Sequence, residues 1–328
     1  MKSIRIPLLA CAWGAAAACA AVPAWAQDWK PTKAIEVIVG TPPGGPLDRT
    51  ARLLQQLLEK RGVGVPVAVM NKPGGGHAIA MAYLNQHAGD GHHVSMALTN
   101  LITNRIVGSN PLTYSDVTPL ALLTSEYIGV SVRVDSPVKD GMDLIARLRQ
   151  NPEALTFAIT NRASGNHIAA GRVLKAAGVE LTRVKFVSFK GSAETTLAVL
   201  GGHVDVVMAT PTSAWKHMEA GKMRMLAVSA PKRLTGKIAG VPTWKELGID
   251  AVSPNWRALV GPKGMTAEQI AYWDRMLAVI VKMPEWQDAV RKNQWEDDYL
   301  NSADTVKFMQ REYQHLEALL TDLGDAKK

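Results

Sequence analysis

The stretch VGTPPGGPLDRTARLL, Val39 to Leu54, contains the strand-to-helix transition that decides the fold of this chain. It continues the apolar segment AIEVIVG (Ala34 to Gly40), which predicts a buried strand, and it leads at once into an amphipathic helix. Two prolines stiffen the intervening loop, and two glycines leave its backbone open to close approach by a ligand. Pro46 suits the first helical position, where its missing N–H costs no hydrogen bond. The stretch therefore predicts either an anion-binding loop at a helix N-terminus or a tight structural turn.

The same strand–loop–helix unit recurs along the chain. A second predicted strand runs into NKPGGGHA (residues 71–78), and a third is HVSMALT (residues 93–99). A further set of strands and helices begins with a predicted strand at Tyr127–Val134. Strands that alternate with helices in this way are typical of an α/β fold with parallel strands.

The end of the chain bears on the domain organisation. One late predicted strand, NWRALVGPKG (residues 255–264), precedes helices that fill the chain from Thr266 onward. The domains could be consecutive, or the chain could cross over and return. These pieces are too small for a third domain, so we favour their return to the first, with crossings near Tyr127 and Asp250. The predicted limits are residues 27–127 with 251–328 for lobe 1, and residues 128–250 for lobe 2.

Composition and charge exclude some classes of function. The 328 residues include 47% hydrophobic and 20% charged residues, as in ordinary globular proteins. The formal net charge is +8, but Lys and Arg are spread evenly and form no dense run. A nucleic-acid-binding protein would show a basic patch or stripe, so we predict no nucleic-acid partner. A mildly positive electrostatic potential instead favours the attraction of small organic acids.

The first 26 residues predict a signal peptide. MKSIRIPLLACAWGAAAACAAVPAWAQ has a charged start, an alanine-rich apolar run and an A-x-A site that predicts cleavage after Ala26. The apolar run is short for a membrane anchor, and the sequence around Cys11 and Cys19 does not suit a lipoprotein. We therefore expect a periplasmic protein whose mature chain contains no cysteine, which excludes thiolate nucleophiles and thiolate metal sites.

Short polar or cationic residues follow several predicted strands of the second set. AITNRASGNH, FKGSAETT and ATPTSAW each join a strand to a helix start. Arg162 is the most specific of these residues, because a guanidinium binds a carboxylate through two parallel hydrogen bonds. A solvated loop charge is the alternative interpretation of Arg162.

Catalytic and metal sites are not predicted. Ser164 and His167 could share one face of a helix, but no G-x-S-x-G elbow surrounds the serine and no partner acid is evident. His167 is instead interpreted as a packing or capping residue. His92 and His93 are adjacent on a strand and therefore point to opposite faces. We predict no metal, no cofactor and no enzymatic activity.

Five segments together resemble a known family. PPGGPLDRTAR, NKPGGG, GNHIAAGRVL, FKGSAETTLAVLGGHVDVVM and GPKGMTAEQI occur in this order across the chain. In this they resemble the substrate-binding proteins of tripartite tricarboxylate transporters, the Bug or TctC-like family. The loop ITNRAS departs from the Ser- and Gly-rich loop common there, and Thr41 replaces a frequent aromatic residue. These departures fall at positions that set ligand specificity.

The resemblance implies an α/β fold of the two-lobed type II periplasmic binding (Venus-flytrap) kind, with a mixed sheet flanked by helices in each lobe. It implies a small carboxylate ligand and membrane transporter subunits as partners, and we expect a monomer. Carried over by position, the ligand contacts of lobe 1 are Pro43, Gly44, Gly45, Asp48, Gly75 and Thr99. Those of lobe 2 are Thr160, Ser164, Lys190 and Thr210, to which our own reasoning adds Arg162.

The leading hypothesis is a solute-binding protein that captures an aliphatic or aromatic dicarboxylate for a tripartite tricarboxylate-type transporter. Arg162 supports the dicarboxylate, since the loops of lobe 1 already serve one carboxylate. Two alternatives stay open. One is an exported sensor of the same fold that reports to a two-component receptor, and the other is a serine hydrolase that uses Ser164 and His167.

Overall fold

The computed structural model describes residues 29–327, so the predicted signal peptide lies outside the described residues. The described chain contains ten β-strands: β1 (Ile35–Val39), β2 (Val67–Asn71), β3 (His93–Ala97), β4 (Val117–Tyr127), β5 (Gly129–Arg133), β6 (Thr156–Ile159), β7 (Lys185–Ser188), β8 (Val206–Ala209), β9 (Met223–Val228) and β10 (Pro254–Pro262). It also contains ten α-helices: α1 (Pro46–Arg61), α2 (Ala78–Asn85), α3 (Asn100–Ile106), α4 (Gly141–Gln150), α5 (Gly165–Ala176), α6 (Ser192–Leu200), α7 (Pro211–Glu219), α8 (Ala267–Ile280), α9 (Pro284–Asn293) and α10 (Ser302–Asp322).

The strands form two mixed five-stranded sheets of the same design. The first has the order β2-β1-β3-β10-β4, with β1 parallel to β2 and β3, and β10 antiparallel to β3 and β4. The second has the order β7-β6-β8-β5-β9, with β6 parallel to β7 and β8, and β5 antiparallel to β8 and β9. We call the layers built on them lobe 1 and lobe 2. This is the predicted two-lobed α/β fold, with a mixed sheet flanked by helices in each lobe.

The two sheets draw on different parts of the chain. The strands of lobe 1 fall within residues 35–127 and 254–262, and those of lobe 2 within residues 129–228. We retain as a proposal the lobe limits given above, 27–127 with 251–328 and 128–250.

The lobes are joined where two chain crossings meet. Ile128 alone separates β4 from β5, and its carbonyl oxygen accepts a hydrogen bond of 2.9 Å from the N–H of Ser229. Ser229 in turn accepts from the N–H of Ser253, also at 2.9 Å. The outgoing and returning segments are therefore hydrogen-bonded to each other, which forms a compact hinge.

The single strand predicted at Tyr127–Val134 is wrong at its start. In the structure β4 ends at Tyr127 and β5 begins at Gly129, in the other sheet. All residues of β4 except Thr118 are buried. A strand covered on both faces shows no alternation of polar and apolar residues, so periodicity did not reveal β4.

The C-terminal part of the chain covers lobe 1 and reaches lobe 2. Helix α10 packs against β4, α3 and α5, and so contacts both lobes. The segment before it lies along the edge of β4, through bridges from Leu122 to Leu300 and from Ser125 to Glu296. The last strand and helices thus complete a sheet that the first part of the chain leaves open. None of the helices within residues 29–327 has the length and apolar character needed to cross a membrane.

Candidate ligand-binding site

The predicted ligand residues lie at the ends of six strands. Strands β1, β2 and β3 in lobe 1, and β6, β7 and β8 in lobe 2, are each followed by a loop and a helix. Ligands of open α/β sheets bind at the carboxyl ends of parallel strands. The loop after β1 holds Pro43, Gly44 and Gly45, and Asp48 lies in the first turn of α1, whereas Gly75 and Thr99 follow β2 and β3. The loop after β6 holds Thr160, Arg162 and Ser164, and Lys190 and Thr210 follow β7 and β8.

Asp48 braces the loop that precedes its own helix. Its Oδ2 accepts hydrogen bonds from the N–H of Gly44 at 2.8 Å and from Nε of Arg52 at 2.9 Å. Its Oδ1 accepts from Nδ2 of Asn71 at 2.9 Å, and the same amide also donates to the carbonyl oxygen of Thr41 at 3.0 Å. The carboxylate is 1% exposed. Burial by itself would raise the pKa of Asp48, but the hydrogen bonds from Arg52, Gly44 and Asn71 outweigh it and lower the pKa.

The two glycines of this loop have different tasks. Gly44 lies in the left-handed region with φ of 80°, and its N–H donates a hydrogen bond to the carboxylate of Asp48. Gly45 is the N-cap of α1, with φ of −73° and ψ of 170°. Within residues 29–327 the N–H of Gly45 meets no protein acceptor. Of these two glycines, only Gly45 therefore has a bare N–H within the described residues, because the side chain of Asp48 reaches back four residues to the N–H of Gly44.

The loop after β2 has a strongly constrained backbone. Gly74, Gly75, Gly76 and His77 all have positive φ, which for His77 is 77°. Only glycine adopts such angles readily, so the run of three glycines is a backbone requirement. His77 is buried against Gly40, where an added Cβ would lie 2.6 Å from the imidazole Nδ1. Burial lowers the pKa of His77 to about 4, so the ring is neutral at pH 7.

The loop after β6 is held by residues that are distant in sequence. Ala163 is buried with φ of 62°, and its carbonyl oxygen accepts from Oγ1 of Thr103 at 2.7 Å. Asn161 Oδ1 accepts from Nδ2 of Asn100 at 3.2 Å. Both donors belong to α3 of lobe 1, next to the predicted residue Thr99, which is 3% exposed. These two bonds bring the loop of lobe 2 against the third strand end of lobe 1.

Arg162 makes an ion pair within the protein. Its Nη1 donates to Oδ1 of Asp325, in the tail that follows α10. The side chain of Arg162 is still 61% exposed, so part of the guanidinium faces solvent. Asp325 is 9% exposed, and its second oxygen lies 3.5 Å from Nδ1 of His167. The C-terminal tail of the described chain thus holds Arg162, the cation that the sequence predicts to contact the ligand.

The other predicted residues of lobe 2 are positioned locally. Lys190 is exposed, and its backbone N–H donates to Glu194 at 3.0 Å. Thr210 is buried and its hydroxyl bonds that of Ser213 at 2.8 Å, whereas Thr160 is half-buried. Among residues 29–327 no hydrogen bond or ion pair joins Lys190 or Thr210 to the loop after β1.

Ser164 and His167 do not form a nucleophile–base pair. Ser164 is the N-cap of α5, and its hydroxyl accepts from the backbone N–H of His167 at 3.4 Å. The ring Nδ1 of His167 accepts from the N–H of Ala163 at 3.0 Å. Burial lowers the pKa of His167 to about 4, far too low for a general base at neutral pH. The geometry agrees with the packing and capping role expected for His167.

Sequence reasoning missed a buried ion pair between two strands of lobe 1. Arg257 on β10 and Glu126 on β4 pair with each other and are 1% and 2% exposed. The guanidinium carbon of Arg257 lies 4.9 Å from the ring centroid of Trp295, and burial raises the pKa of Glu126. The signal was a lone arginine inside the apolar strand NWRALVG, since a buried charge needs a partner. Periodicity could not have identified Glu126 as that partner.

Comparisons with known proteins agree on one family. A family model described as the tripartite tricarboxylate transporter family receptor matches residues 50–324. A UPF0065 protein from the gbd 5′ region of Cupriavidus necator is 31% identical over 318 residues, which are 95% of this chain and 94% of that protein.

Solved structures agree with the fold. A ligand-free TctC solute-binding protein from Polaromonas has 28% identity and a TM-score of 0.70, over 89% of this chain and 99% of its own. Rpa4515 from R. palustris, solved with adipate, has 24% identity and a TM-score of 0.80, over 90% of this chain and 99% of its own. At this identity the similarity establishes a shared fold and nothing about the ligand of this chain. The sequence-based family prediction is confirmed: the chain belongs to the tripartite tricarboxylate transporter receptor family, the TctC or Bug family of periplasmic solute-binding proteins, whose members bind solutes and are not enzymes.

Proposed function

We propose that this protein captures a small dicarboxylate between its lobes and delivers it to the membrane subunits of a tripartite tricarboxylate transporter. The observation that carries the proposal is the loop before α1, where the N–H of Gly45 stands at a helix N-terminus and has no acceptor among residues 29–327. Such a terminus attracts carboxylates through free N–H groups and a partial positive charge. Arg49 and Arg52 outnumber Asp48 beside this loop, so the local charge also favours an anion.

The second acidic group of the ligand would meet Arg162. The backbone of lobe 1 serves the first carboxylate, so a cation across the cleft is free to bind the other end. The 61% exposure of Arg162 supports this role, because only Nη1 is engaged by Asp325. Adipate, the ligand of Rpa4515, is itself a dicarboxylate. In this proposal the other contacts are those named above: Pro43, Gly44, Asp48, Gly75, Thr99, Thr160, Ser164, Lys190 and Thr210.

Calorimetry with two ligands and three proteins tests the proposal. The ligands are adipate and hexanoate, which differ in one carboxylate. We expect Arg162→Ala to weaken adipate about ten- to a hundredfold and to leave hexanoate nearly unchanged, since a charge-assisted contact contributes roughly 1.5–3 kcal/mol. Lys175→Ala is the matched control, because it removes a different ion pair to the C-terminal region, from α5 to Asp322, and should change neither affinity.

Each other outcome of this experiment has a definite meaning. Equal losses for both ligands would show that Arg162 holds the loop and does not bind the second carboxylate. No loss for either ligand would remove the support for a dicarboxylate. If neither adipate nor shorter and longer dicarboxylates bind the unaltered protein, the proposal itself is contradicted.

Export and delivery belong to the same proposal. The mature chain should begin at Gln27, and the intact mass of the periplasmic species measures this. A lipidated mass that begins at Cys19 would contradict it. Loss of dicarboxylate uptake on deletion of the gene is expected for a transport receptor, whereas unchanged uptake with a lost transcriptional response would favour the sensor.

A further inference from the structure

The edge of lobe 1 opposite the ligand loops carries a cluster of nitrogen and oxygen ligands. Helix α2 ends at Asn85, and the turn that follows leads into β3 at His93. Donor atoms of His87, Asp90 and His93 all lie within 4.8 Å of one another. The rings of His87 and His93 are stacked, with centroids 3.6 Å apart and an interplanar angle of 9°. The sequence analysis paired His93 only with the adjacent His92. In the structure Nε2 of His92 accepts a hydrogen bond of 3.0 Å from the N–H of Thr32.

His93 is a buried group with an unpaired ring atom. The residue is 8% exposed, and its Nδ1 makes no hydrogen bond within the described chain, although Oδ2 of Asp90 lies 3.1 Å away. The other nitrogen, Nε2, is 3.8 Å from Oε2 of Glu36, which also accepts from the hydroxyl of Tyr83 at 2.9 Å. Metal-binding histidines typically direct their second nitrogen to a carboxylate in this way. The carboxylate of Glu36 thus lies on the Nε2 side of the ring, and that of Asp90 lies on the Nδ1 side.

Both carboxylate oxygens of Asp90 are held in place by neighbouring groups. Its Oδ1 accepts from the backbone N–H of His92 at 3.1 Å and lies 2.6 Å from Nδ1 of that ring. Its Oδ2 is 2.9 Å from Nζ of Lys33. With its proton on Nε2, His93 would direct the Nδ1 lone pair at this carboxylate oxygen, 3.1 Å away, and the two would repel each other unless a cation lay between or beside them. The ammonium group of Lys33 is 61% exposed and is a cation that can be displaced.

We propose that His87, Asp90 and His93 bind one divalent transition-metal ion, with Zn²⁺ as the best-matched ion. Two imidazoles, one carboxylate and a water complete the tetrahedral set that Zn²⁺ favours. His87 is half-buried at the surface, so its ring can turn out of the stack to aim a nitrogen at the ion. Glu36 and His92 act as positioning residues behind the ligands. The ion joins the end of α2 to the start of β3 and stabilises lobe 1 at the edge away from the ligand loops.

The test is calorimetric titration of the tag-free mature protein with zinc chloride at neutral pH, after treatment with a chelator. We expect one site, about tenfold or more weakened by His87→Gln and by His93→Gln, and about tenfold weakened by Glu36→Gln. Lys33→Met should tighten the site severalfold, because it removes the competing ammonium group. His315→Gln, on exposed α10, is the matched control and should have no effect.

Thermal unfolding with and without zinc supplies a second measurement. Zinc should raise the melting temperature of the unaltered protein and of His315→Gln, but not that of His87→Gln, whose surface position leaves the fold intact. Absence of zinc binding would overturn the proposal. So would binding that survives both His87→Gln and His93→Gln, or a Lys33→Met variant that binds zinc more weakly than the unaltered protein.

Discussion

The loops after β1 and β6 occupy equivalent places in the two lobes, but they are held in different ways. The first is braced by Asp48, four residues from the Gly44 N–H that it accepts. The second is braced from Thr103, Asn100 and Asp325, which are 60, 61 and 163 residues away from their partners. A local brace forms once lobe 1 folds, whereas a distant brace requires both lobes and the chain end to be in place.

This difference bears on how the protein closes on a ligand. The first loop is braced from within lobe 1 alone, so in our proposal it is a preorganised anion site whose shape does not depend on how the lobes are arranged. The second loop touches α3 of lobe 1 and the C-terminal tail, so a hinge motion at Ile128 changes its supports. We infer that ligand binding begins in lobe 1 and that lobe 2 adjusts.

The largest effect is expected when the local brace is removed. Asp48→Ala leaves the N–H of Gly44 and the amide of Asn71 without their acceptor, and should lower the unfolding free energy by about 3 kcal/mol. Adipate affinity should fall about a hundredfold, because the loop loses its shape. Asp143→Ala is the control, since Asp143 has the same pattern, with bonds from Lys139 N–H and Arg147, but lies outside the six ligand-bearing loops. Denaturant unfolding and calorimetry measure both, and equal effects of the two variants would contradict the preorganised loop.

A pH effect of intermediate size is expected from the buried histidine of the loop after β2. His77 has its pKa lowered to about 4 by burial, so the unfolded chain takes up a proton first as pH falls below about 6.5. The unfolding free energy should therefore decrease by about 2 kcal/mol between pH 7 and pH 5 on account of His77.

His77→Asn should remove that part of the decrease, because asparagine has no titrating group and tolerates positive φ. Denaturant unfolding at several pH values measures the slope. His167, with its pKa also lowered to about 4, keeps a similar slope in the variant. An unchanged slope in His77→Asn would show that folding does not lower the pKa of His77.

Smaller effects are expected from alanine substitutions of the two glycines of the first loop. Gly44→Ala places a Cβ at φ of 80° and should cost about 1 kcal/mol of stability, although the space around it is open. Gly45→Ala is unstrained, since φ is −73° and the new Cβ lies 3.7 Å from the nearest atom, the carbonyl oxygen of Pro42. Its stability should change by less than about 0.5 kcal/mol, while adipate affinity falls about tenfold. Unchanged affinity in Gly45→Ala would mean that the loop is only a turn.

The smallest effect is expected at the distant brace. Asp325→Asn weakens an ion pair whose arginine is 61% exposed, so the unfolding free energy should change by less than about 1 kcal/mol. Denaturant unfolding measures this change. If the unfolding free energy falls by several kcal/mol, the tail anchors lobe 2 as firmly as Asp48 anchors the first loop, which would contradict the proposed difference between the two loops.

Sequence reasoning captured what depends on neighbours along the chain. The proline and glycine loops, the helix start at Pro46, the alternation of strands and helices and the family motifs are all local signals. Each fixes backbone angles or a buried face within a few residues, so the two-lobed α/β fold and the strand ends that carry the candidate site were predictable. Even the brace by Asp48 follows from its place in the first turn of α1.

The sequence by itself determined which residues would stand at the strand ends, and only the tertiary structure decided what they contact. Arg162 looked free until the tail brought Asp325 to it, and His93 looked isolated until the turn after α2 folded back. Arg257 needed a partner, but only the pairing of β10 with β4 identified it as Glu126. The physical reason is that periodicity and propensity report the burial and backbone angles of a residue, whereas a contact across 60 or 163 positions depends on how whole layers pack.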